Sequence, residues 1–107
     1  MRTWTVPAVV QRVVDGDTLI VDLDLGWNLW HLGQRVRLAG VNCPELSTTE
    51  GRAAKTFVDV LLWPGVEVTI VSKGLDKYGR TLGQVVLPSG IPLADALLSA
   101  GHATAMK

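Results

Sequence analysis

The sequence predicts an α+β fold, mostly strand, in which five strands and two helices follow one another in the order β-β-β-α-β-β-α. Stretches rich in β-branched and aliphatic residues are separated by turn sequences that contain Asp and Gly. One central segment and one late segment repeat their apolar residues at helical spacing instead. Since 107 residues is a usual length for one domain, we expect a single domain over residues 1–107.

The first half of the chain carries three of the predicted strands. They cover residues 6–14, 18–25 and 34–41. The first two are separated by Asp15-Gly16-Asp17, a typical turn sequence, and should form an antiparallel pair. Between the second and third lies a segment that contains Trp27 and Trp30, which we expect to form a long hairpin arm.

The second half carries the two helices and the last two strands. Ser47-Thr48-Thr49-Glu50 fits the capping-box spacing, so a helix should begin there and end before Trp63-Pro64-Gly65. Strands are predicted at residues 67–72 and 81–87. A second helix should run from Pro92 to the residue before Gly101. This order matches the five-stranded oligonucleotide/oligosaccharide-binding (OB) barrel.

Charge and cysteine content exclude several classes of function. Ten basic residues offset ten acidic ones, so no overall positive field attracts nucleic acid. Asp15, Asp17, Asp22 and Asp24 crowd into one short stretch, which favours a nearby cation. The single cysteine, Cys43, excludes an internal disulfide and a zinc cluster.

Localisation and membrane contact rest on the apolar patterning. The apolar runs are only a few residues long, so we expect no membrane span. The first seven residues lack the apolar segment and cleavage site of a secretory signal. The default expectation is therefore a cytoplasmic protein, and secretion after removal of a signal is the alternative.

Two residues in the first half are candidates for binding charged groups. Asp17 follows a turn and enters a strand, a rigid position that suits a ligand of a hard cation; the alternative is a plain turn residue. Arg37 interrupts an apolar strand and needs an anion there. That anion could be a substrate phosphate or a neighbouring carboxylate at the barrel rim.

Two loops supply further candidates. Glu45 follows Cys43-Pro44 and could act as a general base, or be a solvated surface carboxylate. In Asp76-Lys77-Tyr78-Gly79-Arg80, Arg80 could bind phosphate and Tyr78 could contact a base, unless the segment is only a polar surface turn.

The remaining aromatic and sulfur residues leave several alternatives open. Trp27 and Trp30 could stack on nucleotides or pack in the core or between chains; an oligomer through this arm is possible but not indicated. Cys43 is interpreted as a packing residue, with a reactive thiol as the alternative. His31 and His102 are assigned no chemistry.

Four segments taken together resemble the staphylococcal nuclease (thermonuclease) family in order and spacing, from about Val9 to the end. They are Val14-Asp15-Gly16-Asp17-Thr18, Val36 through Glu45, Asp76-Lys77-Tyr78-Gly79-Arg80 and Leu97-Leu98-Ser99-Ala100-Gly101. The resemblance implies an OB-fold nuclease that binds one calcium ion and hydrolyses phosphodiesters of DNA or RNA.

The same resemblance implies a role for each matching residue. Asp17, Asn42 and Cys43, the last through its backbone carbonyl, correspond to metal ligands. Glu45 corresponds to the general base, and Arg37 and Arg80 to the arginines that clamp the scissile phosphate. Lys77 and Tyr78 are assigned to substrate binding.

This sequence departs from the family at two places. Asn42 stands where an aspartate is usual, and the loss of a charged ligand should weaken calcium binding. The 107 residues also stop before the family's nucleotide-stacking tyrosines and third helix, so substrate grip should be reduced. A rival interpretation is an inactive nuclease-like module that binds nucleic acid or a protein, and a third is an assembly role through the tryptophan arm.

Overall fold

A computed structural model describes residues 4–75 and 79–105 and confirms the mostly β, α+β fold. In this part of the chain the strands are β1 (Trp4–Asp15), β2 (Thr18–Asp24), β3 (Trp30–Leu38), β4 (Val41–Asn42), β5 (Glu67–Leu75), β6 (Thr81–Val86) and β7 (Thr104–Ala105), and the helices are α1 (Thr49–Leu61) and α2 (Leu93–Ser99).

Five of the strands close into a barrel in the order β1-β2-β3-β6-β5. Strand β1 pairs antiparallel with both β2 and β5, and β5 pairs antiparallel with β6. The barrel is closed by a parallel pairing of β3 with β6, over Val36↔Thr81, Arg37↔Leu82 and Leu38↔Gly83. This arrangement confirms the predicted five-stranded barrel.

Cross-strand rows on β1, β2 and β3 alternate between the core and the outer surface. Val13, Leu19 and Val36 are paired in one row, and all three are buried. In the next row Arg12 pairs with Ile20 and Ile20 with Arg35, and both arginines are exposed. Because side chains alternate along a strand, the outer face of these three strands carries the polar residues.

The hairpin arm is more regular than the sequence predicts, because β3 begins at Trp30 rather than at Gln34. Its pairing with β2 shifts register beside Asp22, where an extra residue of β3 is accommodated. The backbone N–H of Gly33, at φ +68°, donates to Asp22 Oδ1 at 2.9 Å. This bulge breaks the alternation of apolar residues that sequence analysis needs to recognise a strand.

The tip of the arm places its tryptophans outside the core. Leu29 N donates to Gly26 O across a tight turn whose central residues, Trp27 and Asn28, both have positive φ. Trp27 is 98% exposed and Trp30 is 45% exposed. Core packing, one of the alternatives for these tryptophans, is therefore wrong.

Both helices lie where the sequence predicts them, with one correction at the start of α1. The N-cap is Thr48 rather than Ser47, and its Oγ1 accepts the Gly51 N–H at 2.9 Å. Helix α2 ends at Ser99 and Gly101 follows at φ +76°. Neither helix of the described ranges is long and apolar enough to span a membrane.

Candidate active site

The turn between β1 and β2 fixes the carboxylate of Asp17. The Asp17 N–H donates to Asp15 Oδ1 at 3.1 Å, which holds the turn closed. Asp17 is only 8% exposed. Its Oδ1 accepts the Thr18 hydroxyl at 3.2 Å and its Oδ2 accepts the backbone N–H of Cys43 at 2.9 Å. The carboxylate therefore ties this turn to the segment after β4.

Asp15 is a second carboxyl group in the same turn, and it was predicted only as a member of the acidic cluster with Asp17, Asp22 and Asp24. Burial, followed by the hydrogen bond and the like charge of Asp17, raises the pKa of the Asp15 carboxyl. The charged form is therefore disfavoured in the folded protein. Its contribution to stability is greatest below the unfolded pKa and is lost as pH rises through the folded one.

Arg37 lies on β3 with its guanidinium turned along the barrel edge. Nη1 donates to the carbonyls of Leu38 at 2.7 Å and Val41 at 3.0 Å, and Nη2 donates to Asn42 Oδ1 at 2.8 Å. Nη2 also lies 3.5 Å from Asp17 Oδ2, with 12% and 11% of the two side chains exposed. The neighbouring carboxylate expected as one partner of Arg37 is therefore present.

Cys43 packs its thiol into the same corner. A Cβ built on Gly16 would lie 2.8 Å from Cys43 Sγ, so any larger residue in the turn would require Cys43 to move. Burial, and then the negative charges of Asp17 and Asp15, raise the pKa of the Cys43 thiol to about 12, while Arg37 lowers it. This environment supports the interpretation of Cys43 as a packing residue.

Thiol modification tests that interpretation. At pH 8 we expect native Cys43 to react with an alkylating reagent about a thousandfold more slowly than the unfolded chain, because thiolate is the reactive form. Above pH ~8.5 the unfolded state loses its thiol proton first, so this group's contribution to stability should fall as pH rises towards 12. Equal alkylation rates for native and urea-unfolded protein would contradict the packing role of Cys43. Cys43→Ala, which lacks the thiol, gives the background reaction of the reagent.

Glu45 lies two residues after Cys43, in a loop that is fixed through its backbone. The Glu45 carbonyl accepts the N–H of Thr48 at 3.0 Å and its hydroxyl at 2.6 Å. A Cβ on Gly51 would lie 1.8 Å from that carbonyl oxygen, so helix α1 packs directly on the loop. The Glu45 residue is exposed, and its carboxylate makes no hydrogen bond or ion pair within the described ranges.

Arg80 lies next to the β3–β6 pair that closes the barrel, on the β6 side. It directly precedes β6, whose first residue Thr81 pairs with Val36, the neighbour of Arg37. Its side chain is partly buried and has interaction partners of its own. Lys77 and Tyr78, the predicted substrate-binding residues, lie outside the described residues.

The structure brings Asp17, Arg37, Asn42 and Cys43 into direct contact and places Glu45 and Arg80 on adjoining segments. This site is an open edge of the barrel. A groove of about 490 Å³ lies towards the other end of β1, where Ala8 and Trp30 line it. An open edge suits a chain-like substrate better than a small molecule that must be enclosed.

Two kinds of site residue were not predicted from the sequence. The Leu38 and Val41 carbonyls anchor Arg37, and no side-chain pattern indicates a backbone acceptor. Gly16 and Gly51 permit the close contacts with Cys43 and Glu45. A glycine in the first turn of a helix, where it costs helix stability, was the available signal for Gly51.

Comparison with known proteins gives a consistent result. Residues 35–107 match the family model described as staphylococcal nuclease homologue. The chain is 35% identical over 94 residues to an uncharacterized endonuclease of Escherichia coli, covering 88% of this chain and 57% of that protein. It is 38% identical over 86 residues to the thermonuclease of Staphylococcus intermedius, covering 74% of this chain and 48% of the relative.

A third relative shows the same region inside a much longer protein. The chain is 32% identical over 109 residues to endonuclease YhcR of Bacillus subtilis (strain 168), covering 89% of this chain and 8% of that protein. The chain thus spans little more than half of the Escherichia coli relative and a small part of the Bacillus one. With the barrel, the charged edge and these matches in agreement, the chain belongs to the staphylococcal nuclease homologue family.

Proposed function

We propose that this chain is a calcium-dependent nuclease that hydrolyses phosphodiester bonds of DNA or RNA. The observation that carries the proposal is the contact of the buried Asp17 carboxylate with the Arg37 guanidinium at an open barrel edge. Backbone carbonyls and an amide hold these two charges in place. Charges fixed in this way stabilise a transition state without reorganising during the reaction.

The residues at this edge fit a hard cation by their chemistry. The Asp17 carboxylate, the Asn42 amide oxygen and the Cys43 backbone carbonyl are all oxygen donors, which calcium prefers. No group of three His, Cys, Asp or Glu side chains gathers into a metal site within residues 4–75 and 79–105. One charged ligand with neutral neighbours would hold calcium weakly. Bound there, the ion would neutralise charge on a phosphate oxygen.

The chain's own residues would divide the remaining chemistry. Glu45, with an exposed carboxylate on a fixed loop, would accept the proton of the attacking water. Arg37, on β3, and Arg80, just before the neighbouring β6, would place positive charge beside the phosphate. The Asp15 carboxyl, whose pKa is raised by burial, would remain a supporting acceptor for the Asp17 amide.

One observation favours the rival function, a nucleic-acid-binding module without catalysis. The neutral Asn42 side chain accepts a hydrogen bond at Oδ1 from Arg37 Nη2. Its oxygen is therefore engaged with an arginine rather than available for a metal ion. If that contact persisted with substrate, the metal site would lack its second ligand. Restoring a carboxylate separates the two functions.

The test measures acid-soluble nucleotides released from heat-denatured DNA and from RNA, in calcium and in chelator. We expect calcium-dependent release that Glu45→Gln abolishes. Asn42→Asp should lower the calcium concentration needed for half-maximal release, about tenfold or more, because an added charged ligand raises calcium affinity. Asn42→Ser, which adds no charge, is the matched control.

The outcomes separate enzyme from binding module. Release that persists in chelator, or that survives Glu45→Gln, would reject the proposed mechanism. Absence of release from wild type and from Asn42→Asp at millimolar calcium, with nucleic-acid binding retained, would establish the binding module instead.

A further inference from the structure

On the outer face of the barrel, cross-strand rows of β1, β2 and β3 continue beyond the candidate site. Asp15 pairs with Thr18 and Thr18 with Arg37, which forms the row at the site. The next row on the same face is Arg12, Ile20 and Arg35. The two rows are separated by the buried row that contains Leu19, so their side chains point the same way.

Arg12 and Arg35 differ from Arg37 in having no local role. Both are exposed, and neither forms a hydrogen bond or ion pair with any residue in the described ranges. Ile20, partly buried between them, leaves an aliphatic surface flanked by two cations. The charges of the whole chain balance, so attraction of an anion depends on local placement, and two exposed guanidiniums on one face beside the candidate site provide it.

The spacing of these arginines fits a chain of phosphates. Arg35 and Arg37 are two positions apart on β3, which is roughly 7 Å along a strand. Arg12 and Arg35 lie two strands apart, roughly 10 Å across the sheet. The Arg35–Arg37 spacing suits neighbouring phosphates of an extended strand, and long arginine side chains can reach across the wider step to Arg12. Successive phosphates could therefore meet Arg37, Arg35 and Arg12 in turn.

Asp22 marks one limit of this surface on β2. Asp22 lies beyond Ile20 on the same face, and its two oxygens accept from Gln11 Nε2 and from the Gly33 N–H rather than from a cation. Its uncompensated negative charge repels a phosphate. The basic surface is therefore short and is bounded on this side by Asp22. Among the residues that the structure describes, its cross-strand rows supply one line of cations, which suits one strand of nucleic acid.

We propose that Arg12, Ile20 and Arg35 form a binding surface for the phosphates of single-stranded nucleic acid next to the bond that is cut. This inference rests on the proposed function, since it continues from the same site. Arg12 and Arg35 are positioning residues: they bind the flanking backbone and leave the chemistry to the site.

Binding measured without cleavage tests the surface directly. A fluorescent single-stranded oligonucleotide is titrated with the Glu45→Gln protein at several salt concentrations, in calcium and in chelator. Each of Arg12→Gln and Arg35→Gln should reduce the slope of log affinity against log salt by about 0.7, and the double change by about 1.4. Lys55→Gln, which removes a charge from the exposed side of α1, should leave the slope unchanged.

Kinetics give a second readout with the active protein. On a long single strand the double variant should raise KM severalfold at unchanged kcat, while kcat/KM for a dinucleotide, too short to reach the surface, should stay the same. A fall in kcat on both substrates would overturn the positioning role. Unchanged melting temperatures would show that the two exposed substitutions leave the fold intact.

The failures of the two proposals are distinguishable. Slope losses in the Glu45→Gln background, together with a wild-type protein that releases no nucleotides in calcium, would reject the nuclease and support the surface. Nucleotide release with salt slopes that do not respond to Arg12→Gln and Arg35→Gln would do the reverse. Equal binding of a duplex of the same sequence, with equal slope losses, would overturn the single-strand assignment.

Discussion

Replacement of Arg37 by glutamine should lower the rate of phosphodiester hydrolysis about a hundredfold to a thousandfold, the usual effect of removing one preorganised donor. It should also destabilise the fold by about 2–4 kcal/mol. The Leu38 and Val41 carbonyls would lose a charged donor in a side-chain environment that is only 12% exposed. Initial rates well below the melting temperature, with circular dichroism, separate the two effects.

Arg37→Lys and Arg52→Gln complete this experiment. Lysine keeps the charge but cannot reach three acceptors with a planar fork, so its activity should lie between glutamine and wild type. Arg52 also donates to a backbone carbonyl, that of Ser47, but on an exposed helix surface, and its loss should change the rate little. Activity of Arg37→Gln within tenfold of wild type would remove Arg37 from the reaction.

Gly51→Ala should destabilise the protein by about 2–3 kcal/mol although helix propensity alone predicts a gain of about 0.5–1 kcal/mol. The added Cβ would lie 1.8 Å from the Glu45 carbonyl oxygen and 2.4 Å from its carbon. Either the helix or the Glu45 loop must move. We expect the melting temperature to fall by roughly 10–20 °C and nuclease activity to fall with it.

Ala53→Gly is the control for this prediction. Ala53 is exposed on the same helix, so the reverse substitution should cost only the propensity difference of about 0.5–1 kcal/mol. If Gly51→Ala melted higher than wild type, the close packing of α1 on the Glu45 loop would be ruled out.

Local patterns predicted most of this fold because they determined those elements directly. Strand β2 alternates buried and outward-facing residues, and α1 has a hydroxyl cap and a proline just after its end. The start of β3 was missed because the Gly33 bulge interrupts the alternation. The pair β4–β7 was missed because two residues have no period, and their partners lie more than 60 positions away.

The candidate residues could be named from the sequence but their geometry could not, and their functional roles stay predictions. Asp17, Arg37, Asn42 and Cys43 could be singled out by the resemblance, whereas their mutual contacts are visible only in the structure. The anchoring of Arg37 by backbone carbonyls depends on how the chain turns at Ala39 and Gly40, which side-chain types do not determine. The charge of the site could be read from the sequence, whereas its rigidity could not.

The parallel pairing of β3 with β6 has a consequence for folding kinetics. Val36 and Thr81 are paired although 45 positions separate them, whereas β1 and β2 meet across a turn. Pairings between distant segments cost more loop entropy and form slowly. Arg37 lies on one side of this seam and Arg80 directly precedes the other. The two arginines therefore share one edge only in molecules whose barrel has closed. Under the proposed function, nuclease activity recovered on refolding should report this least local step.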